Sequence, residues 1–270
     1  MNSPVTYLFV PGDRPERFTK ALDSGADAVI LDLEDAVAAD AKNRARNEIL
    51  QFVRAQPAQI ARLVVRINDT ASTWFAADLV LVREAAVLHV MLPKVESTAQ
   101  VALVRQVLSP TGRVLPLIET ARGVRDVDAI AAMQGVSRLV FGTLDYGVDL
   151  NQSGDERGLI YPASRIVIAS RCAGLASAVA GVTPAIDNES LLQADIDFAR
   201  AMGFGAKLCI HPRQVAAIRS GFAPSTADIA WAERMLAAAA GAKGAVAVDG
   251  RMVDRPVLLK AQSILDRVQR

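Results

Sequence analysis

Eight short runs rich in β-branched and other apolar residues recur along the chain: "TYLFVPG", "DAVILDLED", "RLVVRIND", "VLHVMLPK", "RVLPLIET", "RLVFGTLD", "SAVAGVTPAI" and "GAKLCIHP". Stretches of helical periodicity such as "AKNRARNEILQFVRAQ", "STAQVALVRQVL", "ARGVRDVDAIAAM" and "ESLLQADIDFARAMG" lie between them. The runs end at Asp35, Asn68, Lys94, Glu119, Asp145, near Ile186 and at His211, roughly 25 to 40 residues apart, the length of one βα unit. Strands that alternate with helices imply a parallel sheet. Eight near-even units predict closure into a (β/α)8 TIM barrel. An open doubly wound sheet is the alternative, but "PGDRPERF" is not the G-x-G-x-x-G turn such a sheet usually carries. The chain has 270 residues, of which 51% are hydrophobic, enough for one barrel with a sizeable core.

The longest interval contains "GVDLNQSGDERGLIYP" and predicts an enlarged loop after strand six. Beyond His211, "TADIAWAERMLAAAA" reads as an amphipathic helix that starts near Thr226 or Asp228. A Gly-rich segment and a final helix follow. The expected division is a barrel over residues 1–222 and a C-terminal arm or lid over 223–270 that contributes to the site.

Composition removes several function classes. The formal net charge is +1 with no basic block, so nucleic acid is not the expected partner. There is no uninterrupted apolar run of about 18 residues, so no membrane span is expected. The first residues lack the pattern of a signal peptide, and the expected location is the cytoplasm. Cys172 and Cys209 stand far apart in apolar contexts and read as reduced thiols rather than a disulfide. With His89 and His211 the only histidines, a histidine-rich zinc site is excluded.

In a barrel of this kind chemistry takes place at the carboxyl ends of the strands. The polar residues there are Asp32, Glu34, Asp35, Arg66, Asn68, Lys94, Glu96, Glu119, Asp145 and His211. Glu119 closes the apolar run "RVLPLI", and a buried carboxylate is costly unless paired or bound to a cation. Glu119 and Asp145 end consecutive strands, which lie about 5 Å apart, so the two would repel and one would be pushed toward protonation. A hard divalent cation relieves that conflict; the lack of Cys/His clusters favours Mg²⁺, with Mn²⁺ as the alternative. For either carboxylate alone, a helix cap or ion pair is an equally good reading. Arg66 suits paired hydrogen bonds to a substrate carboxylate, or else an ion pair with Asp32 or Glu34. Lys94 among so many carboxylates stays protonated, which argues for an electrostatic role over a Schiff base. His211 reads as bonded to a nearby carbonyl. Arg14 and Arg17 could meet a phosphate, with a solvated turn as the plainer reading.

The segments "FVPGDRPERFTKA", "ADAVILDLEDAV", "VVRIN", "VMLPKVES", "LPLIETARGV", "LVFGTLDY", "GFGAKLCIHPRQV" and "VDGRMVD", in this order, resemble the citrate lyase beta-subunit-like family within the malate/citramalate-CoA lyase and HpcH/HpaI aldolase superfamily. The similarity runs from Val10 to about Pro256. It implies an oligomeric TIM barrel, often a homotrimer. The implied chemistry is Mg²⁺-dependent cleavage or formation of a carbon–carbon bond between an acyl thioester, on CoA or an acyl-carrier protein, and a small oxo acid. By matched motif Glu119 and Asp145 would hold the metal, Arg66 the oxo-acid carboxylate, and Asp32, Glu34 and Asp35 metal-bound waters. Asp249 would be the catalytic acid or base, with Asp254 a poorer candidate. A thioester-free class II aldolase, a malyl-CoA-type thioesterase and a subunit dependent on a citrate lyase complex are the rival readings. The C-terminal region is shorter than in malyl-CoA lyases with a full extra domain.

Overall fold

The computed structural model describes residues 3–240, 246–248 and 251–268. Eight parallel strands close into a barrel in sequence order, β1 to β8, with β1 pairing β8. They are β1 Thr6–Pro11, β2 Ala28–Asp32, β3 Leu63–Arg66, β4 His89–Leu92, β5 Arg113–Ile118, β6 Val140–Phe141, β7 Val179–Ala180 and β8 Ala206–Cys209. Each falls inside one of the apolar runs of the sequence. Side chains alternate between the barrel lumen and the helical layer. The lumen is filled by Tyr7, Ile30, Val64, Met91, Leu115, Leu117, Val140, Val179 and Leu208. The opposite set packs outward, so the strands are buried on both faces and read as nearly continuous apolar runs.

The helices of this unit are α1 Phe18–Asp23, α2 Lys42–Ala55, α3 Phe75–Glu84, α4 Thr98–Arg105, α5 Ala121–Arg125, α6 Val127–Ala131, α7 Thr143–Asp149, α8 Arg157–Cys172 and α9 Glu189–Met202. The structure departs from the sequence expectation at three points. The periodic stretch after β5 is two short helices, broken at Asp126, whose φ of −98° and ψ of 10° leave the helical region. The enlarged loop after β6 is in large part helical: residues 147–149 belong to α7 and residues 157–162 to α8. Asp145 therefore stands in the first turn of α7 rather than at a strand end.

The described chain forms two compact units, Ser3–Ile218 and Arg219 onward. Helix α10 (Arg213–Phe222) spans the division. In the second unit α11 (Thr226–Ala239) begins with a capping box, in which Ser225 and Asp228 satisfy each other's backbone N–H groups. An antiparallel pair, β9 Val246–Val248 and β10 Arg251–Val253, precedes α12 Arg255–Val268. Ala232, Met235, Val253, Ala261 and Ile264 form its small core. Both cysteines are free thiols. Among the described residues no helix is long and apolar enough to cross a membrane.

Candidate active site

Strand register assembles the first pair of charges. Asp32 and Arg66 are partners at the ends of β2 and β3. Arg66 donates through Nε to Asp32 Oδ1 (2.6 Å) and through Nη2 to Asp32 Oδ2 (2.7 Å), a paired contact that fixes the guanidinium plane. Its Nη1 lies 2.7 Å from Glu34 Oε2, and Phe9 lies beneath the guanidinium at 4.7 Å. Asp32 also shapes the loop that follows it, accepting from the N–H of Glu34 (2.9 Å) and of Ala36 (3.1 Å). Asp35 points outward, 62% exposed and 3.8 Å from Arg66.

Lys94 links this pair to β5. Its ammonium donates to Glu34 Oε1 at 2.7 Å and its backbone N–H to Glu119 Oε1 at 2.8 Å. The two bonds need the residue to turn back on itself, and Lys94 has a φ of 50°, uncommon for a residue with a Cβ. Burial alone would lower the Lys94 pKa, but the hydrogen bond to Glu34 and the field of Glu34 and Glu119 hold it above the ordinary lysine value. Lys94 is thus an ammonium rather than a free amine. Burial raises the Glu34 carboxyl, opposed by Arg66 and Lys94.

Glu119 is different. It is 2% exposed and sits just past the end of β5. Its pKa is pushed up to about 8, first by burial and then by the neighbouring charges of Glu34 and Asp145. Oε2 packs against Gly142, where an added Cβ would come within 2.3 Å of it. Only glycine leaves room for the carboxylate there. Asp145, half-buried in the first turn of α7, adds to the negative field at Glu119.

The remaining expected positions are less engaged. Arg14 is more than half exposed, 4.0 Å from Asp13, and Arg17 is exposed beside Glu16. His211 accepts the N–H of Arg213 at Nδ1 (3.2 Å) instead of donating that nitrogen's proton to a carbonyl. Asp249 lies outside the described residues. Asp254 accepts the N–H of Val257 (3.4 Å) at the start of α12. Two residues escaped sequence reasoning. Gly142 could have been found from its place between the strand run "LVF" and "TLD". Lys42, buried beneath the acidic loop, carries no local signal.

The donor set suits a hard cation: oxygen ligands, one of them buried, under-compensated and held open by a glycine. No group of three or more His, Cys, Asp and Glu side chains is gathered for a metal among the described residues. Glu119 and Asp145 are carboxylates of the kind of which Mg²⁺ takes one or two, filling its shell with water and substrate oxygens.

Comparison with known proteins identifies the family. The profile of the HpcH/HpaI aldolase/citrate lyase family matches residues 6–212. A citrate lyase subunit beta-like protein of Mycobacterium tuberculosis is 40% identical over 268 residues, covering 97% of this chain and 94% of its own. A (3S)-malyl-CoA thioesterase of Cereibacter sphaeroides is 32% identical over 270 residues, covering 98% and 94%. The crystal structure of M. tuberculosis CitE in complex with magnesium, acetoacetate and coenzyme A superposes with a TM-score of 0.90 at 37% identity, covering 99% of both chains. A closed eight-stranded parallel barrel, a family profile over residues 6–212 and a relative 40% identical over 97% of the chain place it in the HpcH/HpaI aldolase/citrate lyase family.

Proposed function

We propose that this chain is a Mg²⁺-dependent lyase that cleaves or forms a 3-hydroxy-acyl thioester of the malyl, citramalyl or citryl type, giving an acyl thioester and a small oxo acid. The observation that carries the reading is Glu119. Its buried carboxylate, raised to about 8 by burial and by two neighbouring acids, sits at a barrel mouth where a divalent cation would relieve the repulsion. The magnesium-bound complex of the M. tuberculosis relative supports it.

Glu119 and Asp145 would hold the metal, and Mn²⁺ would serve in its place. Bound there, the metal supplies Lewis acidity toward the hydroxyl and carboxylate oxygens of the substrate. The Lys94 N–H fixes one oxygen of Glu119 and leaves the other free. Arg66, oriented by Asp32 and Phe9, retains N–H groups on Nη1 and Nη2 for the oxo-acid carboxylate. Asp32, Glu34 and Asp35 would accept from waters around the metal. With the carboxylate and hydroxyl oriented, a base would take the hydroxyl proton, the O–H electron pair would form the carbonyl, and the carbon–carbon pair would leave as the thioester enolate. Asp249 is the proposed acid that protonates the enolate carbon, or removes that proton in the synthetic direction. Arg14 stands with the CoA phosphates in this reading. The active form is proposed to be a homotrimer, checked by light scattering.

The test is product analysis with the isolated chain, Mg²⁺ and malyl-CoA or citramalyl-CoA. Acyl-CoA plus oxo acid is expected, with activity abolished in Glu119→Ala. Full activity of that variant at low magnesium would refute the assignment. The thioesterase relative favours a second reading on the same site, for which the products are free CoA and the intact hydroxy acid. An isolated chain that turns over neither substrate would point to dependence on a larger complex.

A further inference from the structure

Beneath the acidic loop lies a buried lysine. Lys42 is the first residue of α2 and is 5% exposed. A cation is disfavoured at that place twice, by burial and by the positive end of the helix dipole. Its ammonium nevertheless donates to three oxygens: Leu33 O (2.6 Å), Glu34 O (2.8 Å) and Asn68 Oδ1 (2.9 Å). Trp74 lies 5.0 Å away with its ring toward Nζ. All three protons are engaged, and two go to consecutive carbonyls of one loop.

The grip is itself braced. Asn68 donates its backbone N–H (2.8 Å) and its side-chain amide (2.6 Å) to Asp78 Oδ2, and the same amide reaches Leu33 O at 3.1 Å. Asp78, fully buried on α3, accepts from Arg46 at 2.8 Å. Arg46 stands one turn after Lys42, on the same face of α2. A polar line therefore runs from α2 and α3 through Asn68 to the backbone of residues 33 and 34.

That backbone is held from both sides. At the front, Asp32 takes the N–H of Glu34; at the back, Lys42 takes the carbonyls of Leu33 and Glu34. The side chains of Asp32 and Glu34 then face Arg66 and Lys94, while Leu33 is fully buried. We propose that Lys42 is a positioning residue: it locks the loop so that Glu34 holds Arg66 and keeps Lys94 beside Glu119. The inference rests on the metal-lyase reading, since it names what keeps that site in register.

The test uses the whole chain and four proteins: wild type, Lys42→Met, Lys42→Gln and Arg138→Met. Lys42→Met keeps the apolar stem and strands both carbonyls; Lys42→Gln keeps part of the donor capacity and serves where the methionine variant does not fold. Arg138→Met is the control for plain destabilisation. Arg138 is a buried cation bonded to Pro4 O, Ser177 O and the Tyr7 hydroxyl at the far end of the barrel. Calorimetric titration with Mg²⁺, then with pyruvate in saturating Mg²⁺, is read beside the melting temperature. The expected result is binding weakened about 10- to 100-fold in Lys42→Met, less in Lys42→Gln, and unchanged in Arg138→Met despite a lowered melting temperature. Lys42 variants that melt earlier yet bind like wild type overturn the inference alone. A wild-type chain that takes up neither probe overturns the lyase reading and this inference with it.

Discussion

Replacing Glu119 by glutamine isolates the electrostatic conflict on which the site depends. Glutamine keeps the shape, and its carbonyl oxygen still accepts the Lys94 N–H, but it cannot ionise. Without a metal, burial and the neighbouring acids push the Glu119 carboxyl up to about 8, against an ordinary value of 4.5 in the unfolded chain. An acid whose folded pKa is raised contributes its full stability below about pH 4.5 and loses it as pH rises through 8, because ionisation is easier in the unfolded state. At about 1.4 kcal/mol per pH unit, the displacement sets a ceiling of about 5 kcal/mol above pH 8. Local relaxation and water entry reduce this to roughly 2–3 kcal/mol, or about 5–10 °C in melting temperature for a chain of this size. Melting curves in chelator from pH 5 to 9 should show the wild type falling relative to Glu119→Gln across that window. Mg²⁺ should restore the wild type at pH 8.5 and leave the variant unchanged. Parallel pH profiles for the two proteins, or equal rescue of both by Mg²⁺, would refute the reasoning.

Three further outcomes follow from the same contacts. Gly142→Ala should displace Glu119, since the new methyl would meet Oε2 at 2.3 Å and the Glu119 Cβ at 2.6 Å. Overpacking of that kind costs about 1–3 kcal/mol, and Mg²⁺ titration should show weaker uptake together with the lower melting temperature. Arg66→Lys breaks the paired contact with Asp32 and leaves buried acids under-compensated, so denaturant unfolding should show a loss of about 3 kcal/mol and steady-state kinetics a raised KM for the oxo acid. Asp249→Asn should lower kcat in the thioester reaction while Mg²⁺ affinity, read by calorimetry, stays at the wild-type value.

Much of the fold is legible because burial on both faces leaves a plain mark. "AVILD", "RVLPLI" and "AKLC" have few polar residues, and all became strands. The acids were legible for the same reason: Glu119 stands out against the apolar run before it. Helix boundaries were not. "ARGVRDVDAIAAM" keeps one periodicity through Asp126, and only the local backbone shows the break. Asp145 looked like a strand terminus because "RLVFGTLD" reads as one element, whereas pairing ends at Phe141 and a helix begins at Thr143. Lys42 was invisible because a lysine at a helix start normally faces water; what buries it is an asparagine 26 positions away and a loop folded over it.

The charges of the mouth are distributed unevenly around the barrel, and this is the ground for placing the proposed cation on one side of it. On the β2–β4 side each acid has a positive partner: Asp32 has Arg66, and Glu34 has both Arg66 and Lys94. On the β5–β6 side, Glu119 receives a backbone N–H from Lys94, and neither Glu119 nor Asp145 has an ion pair with a cationic side chain among the described residues. Lys94 is near enough to favour the Glu119 carboxylate, yet burial, Glu34 and Asp145 outweigh it, as the direction of the pKa change shows. If Lys94 had satisfied Glu119 instead of Glu34, the mouth would be internally neutralised and would have little use for a metal. At a positive φ, Lys94 gives its ammonium to Glu34 and only its amide to Glu119. The strained residue therefore leaves the β5–β6 acids without a cationic partner among the described residues, with one oxygen of Glu119 beside Gly142.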